Sequence, residues 1–222
     1  MSNNWYIPKK SYSKDINLIR FEMGAVLHQQ YTIWLTRPTE YKSALFPIYP
    51  NSLGSQFFTH DTLNRLEIVR DIRSAGLEVH HINLFFQKGN SLAELHIDDG
   101  ANPRHASLNL PIRGCEGSEV VWVRADQFSA AAPYLATFNG FDVNAKPRTI
   151  GSQPADPVVT RDDSTWDIVD RASAGQPILL KTDEWHAVDN RNNPHYRWLL
   201  GIRFVGNPPY EEVLEKLQAV GL

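Results

Sequence analysis

Apolar residues gather in short runs over the second half of the chain, and these runs predict strands. Each run is rich in β-branched residues, leucine and aromatic residues, which favour strands. Many strands with few helices favour a β-sandwich or a barrel. The predicted strands are Glu78–Gln87, Ala106–Ile112, Glu119–Arg124, Pro177–Lys181 and Arg197–Val205.

Two segments show helical spacing instead. From His60 to Ala75, apolar residues recur at intervals of three, and Asp61 or Thr62 is the expected cap. The stripe consists of Leu63, Leu66, Val69 and Ile72, with Ile68 beside it. The second helix is predicted over about 209–220, with a proline near its start and a glycine after its end.

Two further stretches, Pro38–Gly54 and Asn139–Ser164, are rich in turn-forming residues with scattered apolar ones, and we predict long loops there. We find no internal repeat and no linker, so residues 1–222 are expected to form one domain with a core over about 78–205.

Composition narrows the classes of function. The chain has 222 residues and a formal net charge of −3, with no run of Lys or Arg, so we do not expect a nucleic-acid partner. Cys115 is the single cysteine, which excludes an internal disulfide. No apolar run is long enough to span a bilayer and the first residues lack a signal-peptide pattern, so a cytoplasmic location is expected.

The sharpest local feature is the triplet His96-Ile97-Asp98. In an extended segment, residues two apart point to the same face, so one imidazole and one carboxylate could reach the same metal ion. Such a triplet also arises by chance, and a third ligand must come from elsewhere. The candidate is His186, which we place at the end of a strand, where a histidine can also be a simple polar cap.

Two histidines and one carboxylate on one face of a metal leave three positions open, which is the facial triad of non-haem Fe(II) oxygenases. The context of His96, Asp98 and His186 resembles the 2-oxoglutarate-dependent Fe(II) oxygenase superfamily. In that family a His-x-Asp motif follows an early core strand, and a distal His lies on a late strand. An Arg follows the distal His by about ten residues. The matching segments here are His96–Asp98, Gly175–Leu180, His186–Asn190 and Arg197.

The resemblance is closest to the aspartyl/asparaginyl and prolyl hydroxylase-like branches and covers about 78–205. It implies a mainly β fold, a double-stranded β-helix (a cupin-like jelly roll) with flanking helices. It also implies Fe(II) as cofactor and 2-oxoglutarate and dioxygen as co-substrates. Two departures are the long interval between Asp98 and His186 and the final strand, where Arg197-Trp198-Leu199 replaces the Arg-x-Ser pair of some branches.

The far carboxylate of 2-oxoglutarate needs a forked, charged donor, which Arg provides. Arg197 lies 11 residues after His186, which fits the spacing of the family, and Arg203 shares its strand parity as the alternative. Asn109 could point into the barrel and bind 2-oxoglutarate or substrate, with Ser107 on the same face. An Asn satisfied by nearby backbone is the competing interpretation.

The implied reaction is hydroxylation of a C–H bond, since Asp98 fills the position that related halogenases leave empty for chloride. We expect a small polar substrate such as a free amino acid, and a peptide or protein side chain stays open. The rival hypotheses are a cupin-type metal enzyme that does not use 2-oxoglutarate, and a binding jelly roll without chemistry. No membrane partner is expected.

Overall fold

The computed structural model of the protein describes residues 4–21, 43–48, 64–87, 89–93, 95–98, 105–124, 158–159 and 166–222. Within these residues there are twelve strands and three helices, besides two helical residues at 64–65. The helices are α1 (residues 13–21), α2 (Glu67–Ser74) and α3 (Tyr210–Ala219). The strands are β1 (Trp5–Tyr6), β2 (Ser43–Ile48), β3 (Val79–Gln87), β4 (Ser91–Leu92), β5 (Leu95–His96), β6 (Ala106–Arg113), β7 (Glu119–Val123), β8 (Val158–Val159), β9 (Ile168–Ser173), β10 (Ile178–Lys181), β11 (His186–Asn190) and β12 (Arg197–Phe204).

The strands of this described part form two antiparallel sheets. The first sheet has the order β1-β10-β6-β12-β3-β2, and the second has the order β8-β5-β11-β7-β9, with β4 also paired to β11. Chain neighbours are often split between the sheets, as β11 and β12 are. Two sheets connected in this way are the predicted jelly roll, so the mainly β fold class is confirmed.

The outer face of the first sheet carries the largest apolar core. Alternate residues of β6 and β12 pack against all three helices, which cover this face. Because side chains alternate along a strand, the residues between them point to the other face, toward the second sheet. The outer-face cluster includes Leu108, Leu110, Leu200 and Ile202 from the sheet, and Ile19, Ile68, Ile72, Tyr210, Val213 and Leu217 from the helices.

The inner faces of the two sheets meet over a smaller apolar cluster. Val120 and Trp122 of the second sheet pack with Ile178 and Leu180 of the first. The Trp122 indole also donates to the carbonyl of Lys181 at 3.0 Å, which links the sheets by a hydrogen bond. This cluster occupies one part of the interior. The polar inner residues of β6 and β12 lie in another part.

All five predicted strands are observed, as β3, β6, β7, β10 and β12, with bounds that differ by at most one residue at each end. The predicted loop Pro38–Gly54 is wrong over its middle, because β2 lies there and pairs with β3. The predicted loop contains three prolines, which are unfavourable in strands, so the sequence pattern did not indicate β2. Pro47 is tolerated because β2 is at the edge of the sheet among the described strands, where one backbone N–H need not donate.

The other predicted loop, Asn139–Ser164, lies outside the described residues except for β8, which pairs with β5. His186 was placed at the end of a strand, and this is also wrong. It is the first residue of β11, five residues after β10 ends. The strand β9, which pairs with β7, was not predicted.

The helix predicted over 209–220 is observed as α3. The predicted helix His60–Ala75 is observed as α2 from Glu67 onward, preceded by two helical residues and an extended Leu66. Residues 61–63, with the expected cap, lie outside the described residues. The predicted stripe is confirmed where it can be seen, since Leu66, Ile68, Val69 and Ile72 are all buried.

The N-terminus of α2 is capped from a distance. Asp15 of α1 accepts hydrogen bonds from the backbone N–H groups of Glu67 and Ile68 at 2.9 and 2.8 Å. Helix α1 itself was not predicted from the sequence. No helix among the described residues is both long and apolar enough to cross a membrane.

Candidate metal centre and co-substrate pocket

Pairing of β5 with β11 places His96 and His186 directly opposite each other. The two are Cα partners in the ladder, and their ring centroids are 4.4 Å apart. Asp98 follows two residues after His96, and its Oδ1 lies 3.9 Å from His96 Nε2. The three residues that the sequence singled out, 90 positions apart at their extremes, therefore occupy one neighbourhood.

His186 is prepared to act as a neutral ligand. Its Nδ1 lies 2.8 Å from the carbonyl oxygen of Glu184. A carbonyl only accepts, so Nδ1 carries the hydrogen and Nε2 keeps its lone pair. Burial, followed by the neighbouring His96, lowers the pKa of His186 to about 3, which keeps the ring unprotonated at neutral pH.

Asp98 is held on two sides. Its backbone N–H donates to the carbonyl of Thr182 at 2.8 Å, and its Oδ2 accepts from Nη2 of Arg203 at 2.5 Å. Within the described part of the chain, no three His, Cys, Asp or Glu side chains form a ready cluster for a metal ion. His96, Asp98 and His186 are thus neighbours whose side chains do not yet converge, with the carboxylate of Asp98 drawn onto Arg203.

Arg197 lies at the other end of β12 and is buried in the interior. Its Nη1 donates to Gln87 Oε1 at 3.3 Å, while its Nε and Nη2 are buried and have no hydrogen-bond partner among the described residues. Burial lowers the pKa of the guanidinium. Unsatisfied buried donors of a forked cation are the arrangement that a carboxylate would complete with two parallel hydrogen bonds.

Asn109 and Ser107 lie on the inner face of β6, as predicted. Ser107 Oγ and Asn109 Oδ1 are 2.6 Å apart, so the hydroxyl donates to the amide oxygen. The oxygen of Asn109 is therefore satisfied by a side chain rather than by backbone. Asn109 is the ladder partner of Gly201, and a Cβ at Gly201 would lie 2.6 Å from a ring carbon of Phe85. Because Gly201 has no side chain, the ring of Phe85 can pack against β12 between Arg197 and Arg203.

Several contacting residues were not found from the sequence. Gln87 holds Arg197, Cys115 lies beside it, and Thr182 holds both Asp98 and Arg203. A further pair, His105 and Asp183, is joined at 2.8 Å, and the backbone of His105 accepts from Thr182. Strand register could have indicated Gln87, which is the ladder partner of Arg197. The others depend on how the sheets face each other.

Comparison with known proteins adds to this geometry. No family model and no curated protein sequence matches the chain. Among solved structures, SnoK, described as a non-heme α-ketoglutarate-dependent carbocyclase from nogalamycin biosynthesis, is similar with a TM-score of 0.50 and 13% identity, over 91% of this chain and 79% of that chain. The fold is that of the 2-oxoglutarate-dependent Fe(II) oxygenases.

Other structures with this oxygenase fold are similar at lower scores. A Pseudomonas putida prolyl-4-hydroxylase has a TM-score of 0.46 and 13% identity, over 91% of this chain and 92% of that chain. HygX from Streptomyces hygroscopicus, solved with nickel and 2-oxoglutarate bound, has a TM-score of 0.44 and 14% identity, over 91% and 82%. The similarity to SnoK confirms the predicted resemblance for the fold.

Proposed function

We propose that the chain is an Fe(II)- and 2-oxoglutarate-dependent dioxygenase, acting as a single domain, with His96, Asp98 and His186 as its metal ligands. The carrying observation is the opposed pair His96 and His186 with Asp98 beside them. Two imidazoles and one carboxylate suit Fe(II), and thiolate ligands are not required.

The second support is Arg197. Two nitrogens of this buried guanidinium have no hydrogen-bond partner in the part of the chain that the structure describes, which is costly unless an anion completes them. The far carboxylate of 2-oxoglutarate fits it in charge and in forked geometry. Asn109, on the same inner face, would add a side-chain amide to the pocket. A cupin-type enzyme that does not use 2-oxoglutarate would have no need of this arginine.

The described residues would bind and orient the reactants. Bound Fe(II) would supply the redox chemistry by which dioxygen converts 2-oxoglutarate to succinate and carbon dioxide and places one oxygen atom on a substrate C–H bond. His186, held by the Glu184 carbonyl, would offer Nε2 to a bound metal, and Arg203 with Thr182 would orient Asp98. Trp122, the ladder partner of His186, would help to keep water from this part of the interior. Because Asp98 fills the carboxylate position, the expected product is hydroxylated and not chlorinated.

Titration with Mn(II), a stable probe for this type of site, tests the ligand set. We expect His96→Ala, Asp98→Ala and His186→Ala each to weaken binding at least about tenfold, since each removes one of three ligands. His195→Ala, a change at an exposed histidine, is the matched control and should bind as the wild type does. Equal binding by wild type and His186→Ala would refute the assignment. A binding jelly roll without chemistry would form no succinate when loaded with iron.

For the prime substrate we propose a small polar molecule, such as a free amino acid. The support is the net charge of −3 and the lack of basic runs, which disfavour a phosphate backbone. The test is stimulation of succinate release by free amino acids and small acids, compared with peptides and oligonucleotides. Stimulation by peptides alone would replace the proposal by a protein side-chain hydroxylase. Stimulation by oligonucleotides alone would overturn the charge argument.

A further inference from the structure

Arg203 is tied to the proposed metal centre and not to the co-substrate pocket. It is buried on the inner face of β12, six residues beyond Arg197. Its Nη1 donates to the Thr182 hydroxyl at 3.2 Å and lies 3.4 Å from the Ala106 carbonyl oxygen. Its Nη2 donates to Asp98 Oδ2 at 2.5 Å. The guanidinium thus contacts the first residue of β6 and the residue that follows β10, and it donates to one oxygen of one predicted ligand.

This contact divides the two oxygens of Asp98. Oδ2 faces Arg203, whereas Oδ1 is the oxygen near His96 Nε2, at 3.9 Å. A metal between the histidines would therefore meet Oδ1 and share the carboxylate with a buried cation. A cation so close to the ligand repels the incoming metal and holds the carboxylate back, and burial makes both effects stronger than they would be in water.

We propose that Arg203 is a positioning residue that limits Asp98 to one metal-binding oxygen and thereby weakens the hold of the site on its divalent metal. This rests on the proposed function, since it takes His96, Asp98 and His186 as the ligands. A carboxylate free to bind through both oxygens would occupy one more position on the metal. Arg203 keeps that position open for a co-substrate, at a cost in metal affinity.

The distinguishing readout is the sign of the change in metal affinity. Loss of a residue with a purely structural role would loosen the site and weaken binding, whereas loss of a competing charge tightens it. The dissociation constant for Mn(II), measured from the electron paramagnetic resonance of the free ion, reports this without any turnover. Arg203→Gln removes the charge and keeps an amide donor, and Arg203→Lys keeps the charge.

We expect Arg203→Gln to bind Mn(II) about tenfold tighter than the wild type, and Arg203→Lys to stay within about threefold of it. Arg197→Met is the matched control, a buried arginine on the same face of the same strand. It lies ~20 Å from Arg203 along the strand, so its loss should leave the Mn(II) dissociation constant within about twofold. Unchanged or weaker binding in folded Arg203→Gln would overturn the proposal.

Thr182→Val decides the question if Arg203→Gln does not fold. The change preserves side-chain shape and removes the hydroxyl that accepts from Arg203, so Arg203 is held less firmly on Asp98. Binding about two- to fivefold tighter supports the proposal, and unchanged or weaker binding refutes it. The His186→Ala protein in the same titration distinguishes failure of the Arg203 proposal from failure of the proposed ligand set. If it binds as the wild type does, the ligand set itself is wrong, whatever Arg203 does.

Discussion

Arg197 and Arg203 share one face of β12, yet they contact different partners. Arg203 pairs with Asp98, whereas Arg197 contacts Gln87 and keeps two buried nitrogens without a partner among the described residues. These contacts suit the two arginines to different proposed roles. Arg203, which already forms an ion pair, is suited to orient Asp98, whereas Arg197 is suited to receive an anion.

The pKa of His186 predicts how acid affects the metal-free protein. The pKa is about 3 in the folded state against an ordinary 6.5, so between these values the unfolded chain binds a proton here that the folded protein does not. The free energy of unfolding should therefore fall as the pH is lowered from 6.5 toward 3, by on the order of a few kcal/mol, and this contribution is complete above 6.5.

Urea unfolding across this range, with a chelator present, measures the effect. The matched variant is His186→Asn, which cannot titrate and should lose stability with falling pH less steeply than the wild type. Parallel pH profiles for the two proteins would show that His186 does not account for the acid sensitivity.

Single-residue roles could be predicted from the sequence only in part. The spacing His96-x-Asp98 and the types of these residues predicted that they lie near His186. The pairing of β5 with β11 agrees with that prediction. Strand parity predicted that Arg197 and Arg203 share a face, which the structure confirms. Which arginine meets Asp98 could not be predicted, because parity does not tell which end of β12 lies near β5. The assignment of Arg197 to 2-oxoglutarate stays a prediction.

Helix α2 shows how one element depends on another. Its own residues provide the apolar stripe, but its N-terminal N–H groups are satisfied by Asp15, which is buried and more than fifty positions earlier in the chain. Asp61 and Thr62 were the expected caps because capping is usually local. A cap from a distant helix leaves no pattern in the sequence, so it could not have been predicted.

Replacement of Asp15 should therefore destabilise the fold through α2. We expect Asp15→Ala to lower the free energy of unfolding by about 1–3 kcal/mol, because two buried N–H groups lose their acceptor. Urea unfolding measures it. The control is Glu212→Ala on α3, which breaks an exposed ion pair with Lys216 and should cost less than about 0.5 kcal/mol. If both variants lose the same small amount, the contact with Asp15 does not hold α2.

Strand prediction succeeded where the strands are apolar and central, and failed at the edge. β6 and β12 are buried on both faces, so their composition is plain in the sequence. β2 contains Pro47, and its pairing with β3 compensates for a poor local pattern. The short strands β5 and β11, which carry the histidines, are defined by their partners more than by their own residues.

At the scale of the whole molecule, the proposed site joins the two sheets. His96 and His186 come from the second sheet, whereas Arg197 and Arg203 come from the first. The helices cover the outer face of the first sheet, and the buried arginines lie on its inner face, outside the apolar clusters. The fold class could be predicted from strand content and from the resemblance. The facing of the sheets, which brings these residues together, required the structure.

The most direct test of the central claim is uptake of 2-oxoglutarate by the Fe(II)-loaded protein without oxygen. Chelation of the metal by 2-oxoglutarate gives a visible charge-transfer absorbance, which reports metal, ligand set and co-substrate together. We expect a saturable band in the wild type and no band in His186→Ala. In Arg197→Met we expect metal content to be kept and the half-saturating 2-oxoglutarate concentration to rise at least about 100-fold, since a buried carboxylate loses its partner. An Fe(II)-loaded wild type that shows no band, or an Arg197→Met protein that saturates as the wild type does, would contradict the account.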